Sequence, residues 1–292
     1  MLMHLPLLTQ AKAPLTCEIA VLNEYGESLQ ISIPAERALT VYVDKRELVT
    51  LMTLGAQPEL LVLGYLRNQR LVKEVGDIES ITVDWEVGAA AVKTRRGIED
   101  VEEKTAKRVV TTGCGQGSVF GGLMDEVDQL VLPAGAQITQ SQLYSLVNSI
   151  RLKETTYKSA GSVHACALFD MTTAEPAMLL FVEDVGRHNA IDTIAGWMWM
   201  QDKQLVREAN KVFYTTGRLT SEMVIKSAQM AVPIVVSRSG ITQMGHQVAQ
   251  AVGLCAIGRA TNKRFVCYAS PQRLQLQPEL AGPKLRASAA EV

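Results

Sequence analysis

KVFYTTGRLTSEMVIKSAQMAVPIVVSRSG, residues 211–240, reads as strand, helix and strand in immediate succession. KVFYTT (211–216) and PIVVS (233–237) are short apolar runs bounded by turn residues, and a helical pattern runs from Thr220 to Met230 between them. Two apolar strands joined by one helix and short loops form a βαβ unit, whose crossover sets the strands parallel. The rhythm continues outward. SVHACALFDM (162–171) and AMLLFVEDV (177–185) are apolar strands followed by a helix from His188 to Met200; beyond residue 240 come a helix from Gln243 to Val252 and the strand LCAIG (254–258). This alternation predicts an α/β fold with a mostly parallel sheet flanked by helices.

Upstream the pattern changes. CEIAVLN and SLQISIP alternate in polarity about a turn at Glu24-Tyr25-Gly26, so residues 17–43 read as short strands. PELLVLGYLRNQRLV (58–72) is helical with Pro58 in its first turn, and ITVDWEV (81–87) and AAAVKT (89–94) are strands again. Ile98 to Lys107 is charged and reads as a solvated helix leading into the strand RVVTT, then into a glycine-rich run, GCGQGSVFGG (113–122). A helix from Thr139 to Leu152 opens on the capping-box pair Thr139 and Gln142. The last fifteen residues, rich in Pro, Gly and small side chains, read as a frayed tail.

Composition removes several classes of function. With 29 basic and 30 acidic residues, the chain has no net field to draw it to nucleic acid or a membrane, so any anion site is local. No apolar stretch approaches the roughly 20 residues that span a bilayer, and the N-terminus, interrupted by Pro6, is a poor signal peptide; the cytoplasm is expected. Five cysteines without a C-x-x-C pair argue against a disulfide framework and a structural zinc site, so no metal site is expected.

Chemistry concentrates in loops that follow strands. Gly217-Arg218, leading to Ser221, Ser237-Arg238-Ser239, and Gly258-Arg259-Ala260-Thr261-Asn262-Lys263-Arg264 each set small residues beside arginine. Ligands of such sheets bind at the carboxyl ends of strands, where glycine lets backbone approach and arginine offers a fork of donors to phosphate. The plainer alternative is a set of solvated rim arginines. A fourth loop, Glu183 to Asn189, holds Arg187, His188 and Asn189; His188 and Asp192, four apart, share a helical face and could form an acid/base pair. The competing reading is a capping cluster, with Asp184 accepting N–H bonds and Arg187 in solvent. His164 and Cys166 share a strand face, which taken alone reads as core packing.

Cys114 stands apart from the other thiols. Gly113 and Gly115 flank it and Gly117 and Gly121 follow, a setting for an exposed, reactive thiol, whereas Cys17, Cys255 and Cys267 sit in apolar strands and read as inert core thiols. A free thiol is only a few per cent ionised at pH 7, so the chemistry needs a neighbouring cation or loop amides.

EDVGRHNAID (183–192), TTGRLTSEMVIKSA (215–228), VPIVVSRSG (232–240) and GSVHACALF (161–169) resemble, in order and spacing, the signatures of the FdhD sulfurtransferases. The likeness runs from Glu18 to Tyr268. It implies a cytidine-deaminase-like three-layer core with a smaller strand-rich N-terminal portion: residues 1–110 as that portion, 111–138 as the cysteine loop, 139–275 as the cofactor-binding core and 276–292 as a flexible tail. It further implies that a cysteine desulfurase loads Cys114 as a persulfide. The sulfur then passes to the molybdenum cofactor, a bis(molybdopterin guanine dinucleotide), destined for the formate dehydrogenase catalytic subunit. GDP or GTP would bind as a fragment of that cofactor at the arginine loops with His164, Arg187, His188 and Asn189, and a homodimer is among the expected assemblies. One departure stands out: the family's C-G-x-C-G loop here reads Cys114-Gly115-Gln116-Gly117-Ser118, with Gly117 at the second cysteine. A cofactor-binding chaperone without sulfur transfer is therefore the rival reading. Deamination is not expected, because no H-x-E is followed by P-C-x-x-C. Nor does the glycine-rich run end in the G-K-[ST] of a nucleotide-triphosphate loop.

Overall fold

A computed structural model describes residues 5–98, 127–153, 155–201 and 210–282. Cys114, the segment read as helix, strand and glycine-rich run from residue 99 onward, and residues 283–292 of the tail lie outside the described residues.

Two sheets, each with its own apolar core, make up most of the molecule. The first combines β1 (Leu7–Leu8), β4 (Arg37–Val43), β5 (Arg46–Thr53), β6 (Ile78–Asp84) and β7 (Ala89–Thr94) in the order β1-β6-β7-β4-β5. Helix α1 (Pro58–Asn68) covers it, setting Leu61, Val62 and Leu66 among Leu39, Val41, Ile78 and Ile81. The paired strands β2 (Thr16–Leu22) and β3 (Ser28–Pro34) turn at Asn23 to Glu27, where Gly26 takes a φ of 77° that a side chain would strain. They form a separate ribbon outside both sheets. Cys17, on β2, is exposed, which corrects its reading as a core thiol: β2 contributes no residue to the apolar cores of the described residues.

The second sheet combines β9 (His164–Asp170), β10 (Ala177–Asp184), β11 (Lys211–Thr215), β12 (Ile234–Ser237), β13 (Cys255–Thr261) and β14 (Arg264–Ala269) in the order β10-β9-β11-β12-β13-β14. Only β11–β12 and β12–β13 are parallel, so the expected mostly parallel sheet is corrected to a mixed one. The cause is connection length: β9 to β10 and β13 to β14 are joined by links too short for a crossover, which forces antiparallel hairpins. β14 bears out the placing of Cys267 in a strand, although its thiol is half-buried rather than a core one.

Helices cover both faces of this sheet. On one side α4 (Arg187–Met200), α5 (Ser221–Gln229) and α6 (Gln243–Ala251) pack Ile191, Ile194, Met223 and Val248 on Leu168, Phe213 and Val235. On the other, α2 (Gln140–Lys153) packs Leu143, Leu146 and Ile150 on Phe169, Val212, Tyr214 and Ile234. Alternate residues of one strand thus feed opposite cores, as the period of two requires. The capping box forms as expected: the Thr139 N–H donates to Gln142 Oε1 at 3.0 Å and the Gln142 N–H to Thr139 Oγ1 at 3.2 Å. A short helix, α3 (Thr155–Ala160), follows α2 and was not expected from sequence.

The two sheets meet through α1 and α4. Gly64 and Gly196 lie at their crossing: a Cβ on Gly64 would overlap the Asp192 carbonyl, and one on Gly196 the Leu60 carbonyl. Beside the crossing, Asn68 Nδ2 donates to Asp192 Oδ1 at 2.7 Å. Helix backbones this close tolerate no side chain at either glycine. Gly196→Ala is therefore expected to lower stability by about 1–3 kcal/mol, read as a fall in the urea midpoint; an unchanged midpoint would contradict the crossing.

Candidate functional site

Strand direction brings the predicted loops to one edge of the second sheet. Thr215, Ser237 and Thr261 end β11, β12 and β13 there, Asp184 ends β10, and His164 and Arg264 begin the antiparallel strands β9 and β14. Hydrogen bonds weld these ends together. Ser237 Oγ donates to the Gly217 carbonyl at 2.6 Å and accepts from the Ser239 N–H at 2.9 Å. The Arg238 N–H donates to the Thr215 carbonyl at 3.0 Å, and the Arg259 N–H to the Ser239 carbonyl at 2.7 Å. Ser237 and Ser239 thus brace the edge, and Arg238, Arg259 and Arg264 stand exposed on it.

At the β9–β11 end, His164, Arg187, His188 and Arg218 come together. Arg187 is buried, not in solvent as the capping reading had it, because its methylenes lie over Gly217, where any Cβ would strike its Cδ. His164 Nδ1 is 3.4 Å from Thr216 Oγ1. Burial first, and then the neighbouring Arg187, His188 and Arg218, hold the His164 imidazole below its ordinary pKa. Neutral His164 beside cationic arginines is a group ready to accept a proton once an anion settles there. Cys166, on the same strand, is the opposite: fully buried, its thiol is pushed up to about 12 although it donates to Thr215 Oγ1 at 3.3 Å. The core-packing reading holds for this cysteine.

Much of the Glu183–Asp192 loop holds structure. The Glu183 carboxylate caps α3, accepting from the Thr156 N–H at 2.8 Å and the Tyr157 N–H at 3.0 Å. Asp184 accepts from the Gly186 N–H at 3.0 Å, as a capping residue would, and also from the Leu54 N–H of the first sheet at 3.3 Å. Asn189 donates to Asp184 at 2.8 Å and to the Met52 carbonyl at 2.6 Å. The geometric His188–Asp192 pair does not form. His188 Nε2 lies 3.1 Å from Glu222 Oε2, while Asp192 meets Lys226 Nζ at 2.9 Å. Glu222 and Lys226 point inward from α5, one turn apart at 3.4 Å. Burial pushes the Asp192 carboxyl up, against the pull of Lys226 and Asn68. Burial alone would lower Lys226, but Asp192 and Glu222 outweigh it and hold the ammonium above its usual range. We take the pair as ionised, since both charges are fully buried at contact distance. The i, i+4 spacing in SEMVIK was the available signal for these two residues, but such a pair on a helix ordinarily faces water.

Below the edge, between α2, α3 and the β13–β14 turn, lies a cleft of about 520 Å³. Arg151, Lys158 and Arg238 give it positive charge, Tyr144, Tyr157 and Tyr214 give it aromatic walls, and Asn148 and Asn262 give it amide groups. The Arg238 guanidinium stacks over the Tyr157 ring at 6.0 Å from its centroid. Of the predicted residues it contains Arg238, Ala260, Thr261 and Asn262. Arg259, Lys263 and Arg264 line an adjoining cleft that shares Tyr144 and Thr261. Tyr144, Asn148, Arg151, Tyr157 and Lys158 escaped the sequence reading because they come from helices, and strand-end loops were the only signal followed. Among the described residues no group of three or more His, Cys, Asp and Glu side chains is placed to hold a metal, and no helix is long and apolar enough to cross a membrane.

Comparison with known proteins follows the same outline. The model of the FdhD/NarQ family matches residues 34–275. The sulfur carrier protein FdhD of Bacillus subtilis (strain 168) is 29% identical over 255 residues, covering 86% of this chain and 94% of its own. That of Geobacillus kaustophilus (strain HTA426) is 26% identical over 242 residues, covering 83% and 89%. A crystal structure from Desulfotalea psychrophila, assigned as a formate dehydrogenase accessory protein, superposes with a TM-score of 0.69 at 22% identity, over 89% of this chain and all of that one. At that identity it speaks for the fold.

The lowered His164 pKa gives a test. Unfolded histidine titrates near 6.5, and the folded state resists the proton, so His164 contributes stability above that value that is lost as pH falls from about 6.5 toward its lower native pKa. In an NMR titration His164 is expected to have a midpoint below that of free histidine, and Arg218→Gln is expected to raise it. A midpoint at or above the free value would contradict the electropositive edge.

Proposed function

The chain belongs to the FdhD/NarQ family, and from that membership we propose that it is a sulfur carrier for the molybdenum cofactor of formate dehydrogenase. In this reading the layers of helix, sheet and helix form a cytidine-deaminase-like core, working in the cytoplasm with a cysteine desulfurase as donor and the formate dehydrogenase catalytic subunit as client. A second copy of the chain is the further proposed partner. The observation that carries the proposal is the cleft beside the strand ends, with Arg151, Lys158 and Arg238 around tyrosine walls. A nucleoside diphosphate asks for that combination: cations for the phosphates, an aromatic face for the base, and amides such as Asn148 and Asn262 for its edge. The cofactor, a bis(molybdopterin guanine dinucleotide), is the substrate here, and GDP or GTP would bind as its fragment. Arg259, Lys263 and Arg264 in the adjoining cleft extend the positive surface along the same edge.

Cys114 does the covalent work. Its thiolate attacks the outer sulfur of the desulfurase persulfide; a new S–S bond forms on Cys114 and the donor leaves as thiolate. To be delivered as sulfide, the sulfane sulfur needs two electrons. A thiol attacking the inner sulfur supplies them and ends as a mixed disulfide with Cys114, which a second thiol resolves. A second loop cysteine would be that attacking thiol; with Gly117 there, it comes from outside the loop. The electropositive surroundings of His164, made by Arg187 and Arg218, favour the thiolate and persulfide anions when they approach the edge. The rival, a cofactor-binding chaperone without sulfur transfer, draws on that same missing cysteine.

Incubation with a cysteine desulfurase and cysteine, followed by peptide mass spectrometry, separates the two. A gain of about 32 Da, one sulfur atom, is expected on the Cys114 peptide alone, with buried Cys166 unlabelled. No labelled peptide, in a protein that still binds GDP, would favour the chaperone; label on Cys166 would refute the assignment to Cys114.

A further inference from the structure

β13 and β14 bring two cysteines together. Cys255 opens β13, and Cys267 lies on β14, the edge strand of the second sheet. Ile257 is the direct partner of Cys267, so Cys255, two residues before Ile257, sits diagonally from Cys267 on the same face. That face is the core beneath α2, where Cys255 is buried and Cys267 packs at the rim, half-buried. The register slips between Ala256 and Ile257, with Tyr268 as the extra residue, and such a bulge bends its strand. The two sulfurs are hydrogen-bonded. The Cys267 thiol donates to the Ala269 carbonyl at 3.4 Å, and its lone pairs accept from the Cys255 thiol.

The position of each thiol gives it a different part in redox chemistry. Cys267, at the sheet edge, is within reach of solvent, and the hydrogen bond from Cys255 holds its thiol below the ordinary pKa against the effect of burial. The same bond first, and then burial, push the Cys255 thiol up, so Cys255 keeps its proton. We propose that Cys255 and Cys267 form a redox-modification site, closed to a reversible disulfide by a peroxide. The Cys267 thiolate attacks a peroxide oxygen; the O–O bond breaks, a sulfenic acid forms on Cys267, and hydroxide leaves. The Cys255 sulfur then attacks the Cys267 sulfur; the S–S bond forms, and the hydroxyl leaves with the Cys255 proton as water. Two electrons pass from the thiols to the peroxide, and a thiol reductant returns them. The loop closed by this bond contains Arg259, Thr261, Asn262, Lys263 and Arg264, which line the two clefts, so oxidation clamps the hairpin that carries them. The site stands apart from the sulfur-transfer reading, which neither its success nor its failure touches.

Peptide mapping of the full chain tests it. Trypsin cuts after Arg259, Lys263 and Arg264, so the two cysteines fall on different peptides. After hydrogen peroxide and alkylation of the remaining thiols, the wild type is expected to yield a species joining those two peptides, about 2 Da lighter than their sum, and dithiothreitol is expected to release both. Cys114→Ser is expected to form the same bond. Cys255→Ala, which keeps a small apolar group in the core, is expected to stop at the Cys267 sulfenic acid, trapped by dimedone, whereas Cys267→Ser is expected to leave Cys255 unmodified. Hydrogen exchange across residues 259–264 is expected to slow on oxidation of the wild type and not of Cys255→Ala. The proposal is overturned if the wild type gives no joined peptide, or if either cysteine bonds to a third thiol instead. It is equally overturned by dimedone on Cys255 rather than Cys267, or by exchange in the turn that is indifferent to oxidation.

Discussion

Two glycines let α1 and α4 touch backbone to backbone, and the buried Asp192–Lys226 pair is built onto that contact. Asp192 takes part in both. Its carbonyl occupies the space a Gly64 side chain would need, and its carboxylate holds Asn68 of α1 and Lys226 of α5. Arg67, whose pKa burial lowers to about 10, reaches from α1 to the Gln229 carbonyl at the end of α5. Three helices from two sheets are thereby fixed around one carboxylate. Leaving either charge of such a pair alone in the interior is far more costly than the pair itself, so the arrangement permits little drift in how the helices cross.

What that constraint provides is a steady edge. The first turn of α4 carries Arg187 and His188, and α5 begins just after Gly217-Arg218, so fixing α4 against α5 sets the distance between these two loops. Glu222, one turn from Lys226, holds His188 from beneath. Glu183 and Asp184 work outward from the same point, the first placing α3 with its Tyr157 and Lys158 at the cleft, the second tying the loop to the first sheet. The densest motif in the sequence thus spends most of its polar groups positioning other elements. Arg238, Arg151 and Lys158 line the cleft, Arg238 over the Tyr157 ring and Arg151 donating to Asn148 Oδ1 at 3.0 Å.

This division explains what could be read in advance. Strands and helices of the second half were legible because apolar periodicity survives in each segment, and the strand-end loops gathered at one edge because strand direction leaves them no other place. Strand polarity was less legible. Hairpin links such as Asn262-Lys263 resemble any short loop until pairing is known, and the β9–β10 and β13–β14 hairpins made the sheet mixed. The cleft was half legible: Arg238 and the 260–262 turn were in view, but Tyr144, Arg151 and Lys158 come from helices, where no strand-end signal points. The inward charges of α5 were invisible for the same reason, since Glu and Lys at i, i+4 on a helix ordinarily face water. Cys17 erred the other way, an apolar strand being taken for a buried one.

The cleft at the strand ends is the part of this account on which function turns, and calorimetric titration with GDP probes it directly. Wild type is expected to bind, and Arg238→Ala, with its fold intact by circular dichroism, is expected to lose about 1.5–3 kcal/mol, roughly 10- to 150-fold in affinity. Equal affinity in the two proteins, or no binding by the wild type, would contradict a phosphate site in the cleft.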